Sequence, residues 1–187
     1  MNSGFNEVMK SLIFAFLFCV GTSATAANSA AASKEQPQLV DVDISGSAGN
    51  YNGQTYNELH LGVNLNFTDW LTWRNAAFKR FSQTADYDFS GIDSTLRLIF
   101  NSPFENGNFK VFAGPGYRWA SNSDNNAVLG EAGVGLQFGR LNLGVGAKYL
   151  QYQKARRDLS GAETKRDDLS YFITISGGAG VSFGSSL

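Results

Sequence analysis

The chain has 187 residues, a formal net charge of −1 and one cysteine. That length suggests a single domain, and a charge so near zero gives nucleic-acid binding no electrostatic support. Glycine is plentiful (21) and proline scarce (3), which suits strands with few interruptions, and no apolar run reaches the roughly 18 residues of a spanning helix.

Residues 1–26 read as a secretory signal peptide. Lys10 precedes the apolar run Ser11 to Val20, small residues follow, and Ala24-Thr25-Ala26 fits an A-x-A cleavage site. Met9 would make a more ordinary start than Met1, because Glu7 is out of place in a positive leader. Cys19 lies within the apolar run, so the mature chain is expected to lack cysteine, excluding thiol and cysteine–metal chemistry. Residues 27–38, rich in Ala, Ser and Gln, read as a flexible lead-in.

From 39 to 183 apolar and polar residues alternate in eight short runs. The first strand spans about 39–49, with Val40, Val42 and Ile44 opposite Asp41, Asp43 and Ser45. In the second, about 56–67, Leu59, Leu61, Val63, Leu65 and Phe67 alternate with Glu58, His60, Gly62, Asn64 and Asn66. The third, about 71–82, is the least regular and its facing stays open. The fourth (91–100) sets Ile92, Leu96, Leu98 and Phe100 against Asp93, Thr95 and Arg97. The fifth (109–120) sets Phe109, Val111, Ala113, Tyr117 and Trp119 against Lys110, Gly114, Gly116 and Arg118. In the sixth (127–138), Val128, Ala132, Val134, Leu136 and Phe138 oppose Glu131, Gly133, Gly135 and Gln137. In the seventh (141–152), Leu141, Leu143, Val145, Ala147 and Tyr149 oppose Asn142, Gly144, Gly146 and Lys148. The eighth (170–183) carries Tyr171, Ile173, Ile175, Ala179, Val181 and Phe183 opposite Thr174, Ser176, Gly178, Gly180 and Ser182. A period of two sustained this long puts each set on one face.

The connections alternate as well. Those at 68–70, 101–108 and 139–140 are compact; those at 50–55, 83–90, 121–126 and 153–169 are longer. Eight strands with alternating short turns and long loops predict an eight-stranded antiparallel up-and-down transmembrane β-barrel, apolar set outward, with 184–187 as a C-terminal extension. Phe67, Phe100, Phe109, Phe138 and Phe183 gather at the short-turn end, and Trp119, Tyr149 and Tyr171 at the other, as two interfacial girdles would. A soluble lipocalin-like barrel would bury the apolar set instead, leaving glycine and charges as an unsuitable outer surface.

Residues 39–183 resemble the small eight-stranded outer-membrane barrels typified by the OmpA transmembrane domain and OmpX. Phe112-Ala113-Gly114-Pro115-Gly116-Tyr117 resembles their glycine-rich mid-strand patches. Ser176, Gly178, Val181 and Phe183 resemble the C-terminal signal read by the barrel-assembly machinery, although Gly184-Ser185-Ser186-Leu187 follow the aromatic that ends the chain in that family. The resemblance implies insertion in the outer membrane of a Gram-negative bacterium, contact with lipid and lipopolysaccharide, and a monomer.

Hairpin arithmetic predicts the interior. A turn centred on Gly139-Arg140 pairs Gly135 with Gly144, Gly133 with Gly146 and Glu131 with Lys148. A loop centred between Asp124 and Asn125 pairs Arg118 with Glu131, and a similar last hairpin sets Gly178 beside Gly146 and Gly180 beside Gly144. The expectation is an Arg118–Glu131–Lys148 charge row centred on Glu131, above glycine rows that leave room for Arg97, Asp41 and Asp43. Interior charge is tolerable only as a connected network, and a barrel of this size is barely wide enough for its own side chains.

No catalytic, cofactor or metal site is expected. Lipid A-modifying barrels need histidine with serine and a carboxylate, whereas His60 is the single histidine and faces inward. Asp41-x-Asp43 is only strand alternation, and Asp124-Asn125-Asn126 is too short for a calcium loop. The charged loop 153–169 is a candidate for contact with lipopolysaccharide phosphates or a surface partner. The expected role is therefore structural or surface-interacting and non-enzymatic, with a lipid A-modifying enzyme or a narrow channel as the alternatives.

Overall fold

The computed structural model describes residues 39–83, 87–155, 161, 163 and 165–177. Eight strands follow in chain order: β1 (Val40–Tyr51), β2 (Gln54–Thr68), β3 (Leu71–Ser82), β4 (Ser90–Phe104), β5 (Gly107–Ala120), β6 (Ala127–Phe138), β7 (Leu141–Tyr152) and β8 (Asp167–Gly177). Each pairs antiparallel with its chain neighbours, and β8 pairs with β1, so the sheet closes as an eight-stranded up-and-down barrel. Closure satisfies the backbone groups of both would-be edges, which a sheet in hydrocarbon could not leave open. The segments read as signal peptide, lead-in and C-terminal extension lie outside the described residues. So do Arg156, Arg157, Asp158, Gly178, Gly180, Val181 and Phe183.

The alternation sorts residues by polarity in the sense of a membrane barrel. Ile44, Leu61, Leu98, Phe100, Tyr171 and Ile173 are all more than half exposed on the outer wall, while Glu58, Asp93, Arg118 and Lys148 are at most 3 % exposed. Outward aromatics mark both ends. Phe67, Phe100, Phe109 and Phe138 lie near the short turns, and Trp119, Tyr149 and Tyr171 near the loops. β3 now has a definite facing: Thr72, Arg74, Ala76, Phe78 and Arg80 point in, and Trp73, Ala77, Lys79 and Phe81 point out.

Three connections differ from the sequence reading. The expected loop at 50–55 is a two-residue turn, because Tyr51 already pairs with Gln54. Asn52 and Gly53 both take positive φ (52° and 77°), the combination a type I′ hairpin demands and Asn-Gly supplies. At 101–108 the strands run on until Phe104 faces Gly107. Between β5 and β6 a 3-10 turn, Ser123–Asn125, is capped by Asn122, whose side chain accepts from the Asp124 N–H at 3.1 Å. Asn126 then accepts from the Ala120 N–H at 2.9 Å. This turn takes its residues from the β6 side, so Arg118 stands opposite Ala127 and Glu131 opposite Gly114. The expected Arg118–Glu131 pairing is thereby overturned. β8 likewise starts earlier than expected, setting Phe172 beside Gly146 and Thr174 beside Gly144 in place of Gly178 and Gly180. Both slips preserve facing, because each moves the partner residue by an even number of positions. The β6–β7 register is the expected one throughout.

Candidate functional site

The functional chemistry of the described residues lies inside the barrel. Asp41 and Asp43 on β1, Glu58 on β2, Asp93 on β4, Glu131 on β6 and Asp168 on β8 point inward. So do Arg74 and Arg80 on β3, Arg97 on β4, Lys110 and Arg118 on β5, and Lys148 on β7. Six carboxylates thus meet six cations. Charges shielded from bulk water stay only when paired and hydrogen-bonded, and the interior is organised in tiers that achieve this.

Nearest the loops, Tyr51, Tyr56 and Tyr152 pack with Ala127, Leu129 and Leu150 in a fully buried cluster. Beneath it Asp168 accepts from the Tyr56 hydroxyl (2.8 Å), the Tyr152 hydroxyl (3.1 Å) and Arg80 Nη2 (3.0 Å). The Arg80 guanidinium lies 3.6 Å from the Tyr56 ring centroid, so its face is satisfied by the aromatic and its edge by carboxylates. Arg80 Nε also donates to Glu58 at 2.8 Å, linking this tier to the next.

Arg118 is the centre of the middle tier. Its Nε and Nη2 donate to Asp93 (2.7 and 2.8 Å), and its Nη1 and Nη2 to Glu58 (2.7 and 3.0 Å). One planar fork therefore holds two carboxylates, one from the neighbouring strand β4 and one from β2, three strands away in the barrel. Lys148 Nζ donates to Asp93 at 2.6 Å and lies 3.0 Å from His60 Nε2. His60 Nε2 also stands 3.3 Å from Glu58 and 3.5 Å from Asp93, while its Nδ1 has no partner.

Nearer the short turns Arg74 grips Asp43 with two bonds of 2.9 and 2.6 Å, and Asn64 Nδ2 donates to the same carboxylate at 2.9 Å. Arg97 Nε donates to Glu131 at 2.6 Å across the intervening strand. One row reads Phe112–Gly133–Gly146–Phe172 across four adjacent strands. The two phenyl rings lie over the two glycines and meet with centroids 6.2 Å apart. These glycines make room for adjacent aromatics rather than for Arg97, Asp41 and Asp43. Below this row a cleft of about 50 Å³ opens at the short-turn end, with Asp41, Arg97 and Lys110 in its lining.

Of the residues singled out from sequence, Asp41, Asp43, Arg97, Arg118, Glu131 and Lys148 all line the interior. They do not join as one row. Arg118 and Lys148 meet at Asp93, Glu131 takes Arg97, Asp43 takes Arg74, and Asp41 accepts from Asn66 at 2.9 Å. Glu131 is opposite Lys148 in register, yet the lysine reaches across to Asp93. The expectation that Glu131 is the hub is therefore corrected: the hub is Arg118. Ser176 also lies on the inner wall, accepting from Asn142 Nδ2 at 3.1 Å. Glu58 and Asp93 were read as inward but not as the core of the network. Arg74 and Arg80 were missed because the facing of β3 was open, and Asp168 because it was read as loop. Among the described residues no three metal-ligating groups converge.

No family model matches the chain, and no curated protein does either. Solved structures that share the fold include two outer-membrane or surface proteins. The outer membrane enzyme PagL superposes with a TM-score of 0.51 at 17% identity, over 72% of this chain and 97% of that one. The Neisserial surface protein A superposes with a TM-score of 0.50 at 11% identity, over 74% of this chain and 95% of that one. One is named for catalysis and the other for its surface location, so the likeness extends to the barrel and not to the task.

Proposed function

We propose that the chain is a monomeric outer-membrane barrel of the OmpA-domain and OmpX kind with a structural or surface-interaction role. It reaches the membrane after cleavage of residues 1–26 and assembles through the barrel-assembly machinery with Phe183 in its signal. The observation that carries this reading is the sealed interior. The Tyr51–Tyr56–Tyr152 cluster and the Arg118 tier stand in series between the loop end and the cleft. An eight-stranded barrel is barely wide enough for its own side chains, and these fill it among the described residues, which argues against a pore. The single histidine, 1 % exposed, faces the interior among carboxylates, on the opposite side of the wall from any lipid substrate. Loop 153–169 offers charge to lipopolysaccharide or to a surface partner.

Membrane fractionation with heat-modifiable gel mobility tests the architecture. The mature protein is expected in the outer-membrane fraction, migrating faster before boiling than after; recovery as a soluble periplasmic species would refute it. In planar bilayers the wild-type protein is expected to give no steady open state, and a reproducible conductance would establish the channel reading instead. An outer membrane enzyme, PagL, shares this fold, which keeps the enzymatic alternative open, and lipid A is the substrate to examine for it. Mass spectrometry of lipid A from deletion and overexpression strains is expected to be unchanged, and a lost or gained acyl group would replace this proposal with catalysis.

A further inference from the structure

We propose that the cleft at the short-turn end is a binding site for a small zwitterion, an α-amino acid held by its ammonium and carboxylate groups. Three observations carry it. First, the cleft contains opposite charges that do not neutralise each other directly. Lys110 forms no ion pair among the described residues, although Asp41 acts on it electrostatically. Among the described residues the hydrogen bond that Asp41 accepts comes from the amide of Asn66. An inward lysine half-withdrawn from water with no ion pair among the described residues is costly, and a ligand carboxylate would relieve that cost.

Second, the acceptors are unmet where a ligand ammonium would need them. Asn64 is 6 % exposed, and its Oδ1 is buried with no partner while its amide donates to Asp43. Asn142 repeats the pattern, with Nδ2 on Ser176 and Oδ1 unpartnered. Both residues line the cleft. Buried polar atoms of this kind ordinarily find a partner. Arg97 commits Nε to Glu131 and leans on the Phe112 ring at 4.6 Å, and its terminal nitrogens add a second cation for the carboxylate.

Third, the size fits. A space of about 50 Å³ takes roughly four or five water-sized groups, and the nitrogen, α-carbon and carboxylate of an amino acid are that many heavy atoms. Gly135 and Gly144 keep the opposite wall low. A simple anion would satisfy Lys110 and leave the amide oxygens unmet, whereas a simple cation would do the reverse. With the short turns toward the periplasm, the orientation usual for outer-membrane barrels, the ligand would be drawn from that compartment; binding in detergent does not depend on that orientation.

The test is calorimetric titration of the full mature protein, folded in detergent, with glycine, acetate, methylammonium and diglycine as separate probes. Glycine is expected to bind at least about tenfold more tightly than acetate or methylammonium. Lys110→Met and Asp41→Asn are each expected to weaken glycine by about tenfold or more while retaining heat-modifiable mobility, which certifies the fold. Equal binding of acetate and glycine would reduce the site to an anion site and overturn the proposal. So would tighter binding of diglycine, indifference of glycine to both substitutions, or no saturable heat at tens of millimolar glycine.

Discussion

Replacing Arg118 with methionine is expected to destabilise the barrel by about 3–5 kcal/mol, the range found when one partner of a buried ionic set is removed. The guanidinium makes four short bonds and is 0 % exposed. Its loss leaves Glu58 with Arg80 and Asp93 with Lys148 as their remaining Lys or Arg partners, with the His60 ring beside both. Glu131→Gln should cost distinctly less, because it releases only Arg97, whose side chain is 11 % exposed beside the open cleft and can turn toward water. The triple change Arg118→Met, Glu58→Gln, Asp93→Asn should cost less than the sum of its parts, since the three residues touch. Reversible urea unfolding from lipid vesicles measures all of these. An Arg118→Met cost below that of Glu131→Gln would show that the middle tier is not the hub.

Gly133→Ala is expected to cost about 1–3 kcal/mol, as overpacking of a filled interior does. A methyl group there would stand 2.5 Å from Phe112 Cζ and 2.5 Å from the Val145 carbonyl oxygen. The ring can move but the carbonyl, held in the ladder, cannot. Phe112→Ala in the same chain should therefore recover part of the loss and no more. A second site is the control: Gly130 points outward with nothing within 4 Å of an added Cβ, so Gly130→Ala should be close to neutral. If Gly133→Ala and Gly130→Ala unfold at the same urea concentration, the aromatic cover over Gly133 is not packed as described.

The barrel was legible because its main signal is local. A period of two needs no knowledge of partners, and β6–β7 came out in register because Gly139-Arg140 is a two-residue turn that leaves the chain no slack. Where slack existed, register failed. The Asn122–Asn126 side-chain bonds that shift β5 against β6 carry no signal in a hydrophobic pattern. β3 was unreadable because it inverts the polarity rule at adjacent positions. Phe78 is inside, under the Arg118 guanidinium at 3.9 Å and beside His60. Lys79 is outside near the loop end, with its ammonium 6.0 Å from the Phe81 ring, an arrangement that lets a lysine reach the interface. Asn52-Gly53, by contrast, is a strong hairpin signal, and the reading of 50–55 as a longer loop did not use it. The charge set was visible as a composition of inward positions; which charge meets which depends on strands far apart in sequence, and only the closed barrel decides it.

That dependence bears on how the barrel forms. β1 and β2 bring only carboxylates among their charged inward residues, and β3 brings only arginines. The Arg74–Asp43, Arg118–Glu58 and Arg80–Asp168 contacts each join strands that are not neighbours in the sheet. The β1–β2 hairpin therefore carries Asp41, Asp43 and Glu58 inward with no lysine or arginine of its own, and an open intermediate entering hydrocarbon would carry those ions bare. The last of these pairs forms only when β8 meets β1. Ionic pairing thus ties closure to register: a sheet closed one pair out of register would hold the same six carboxylates and six cations inside but set them beside the wrong neighbours, at the cost of unpaired buried charge.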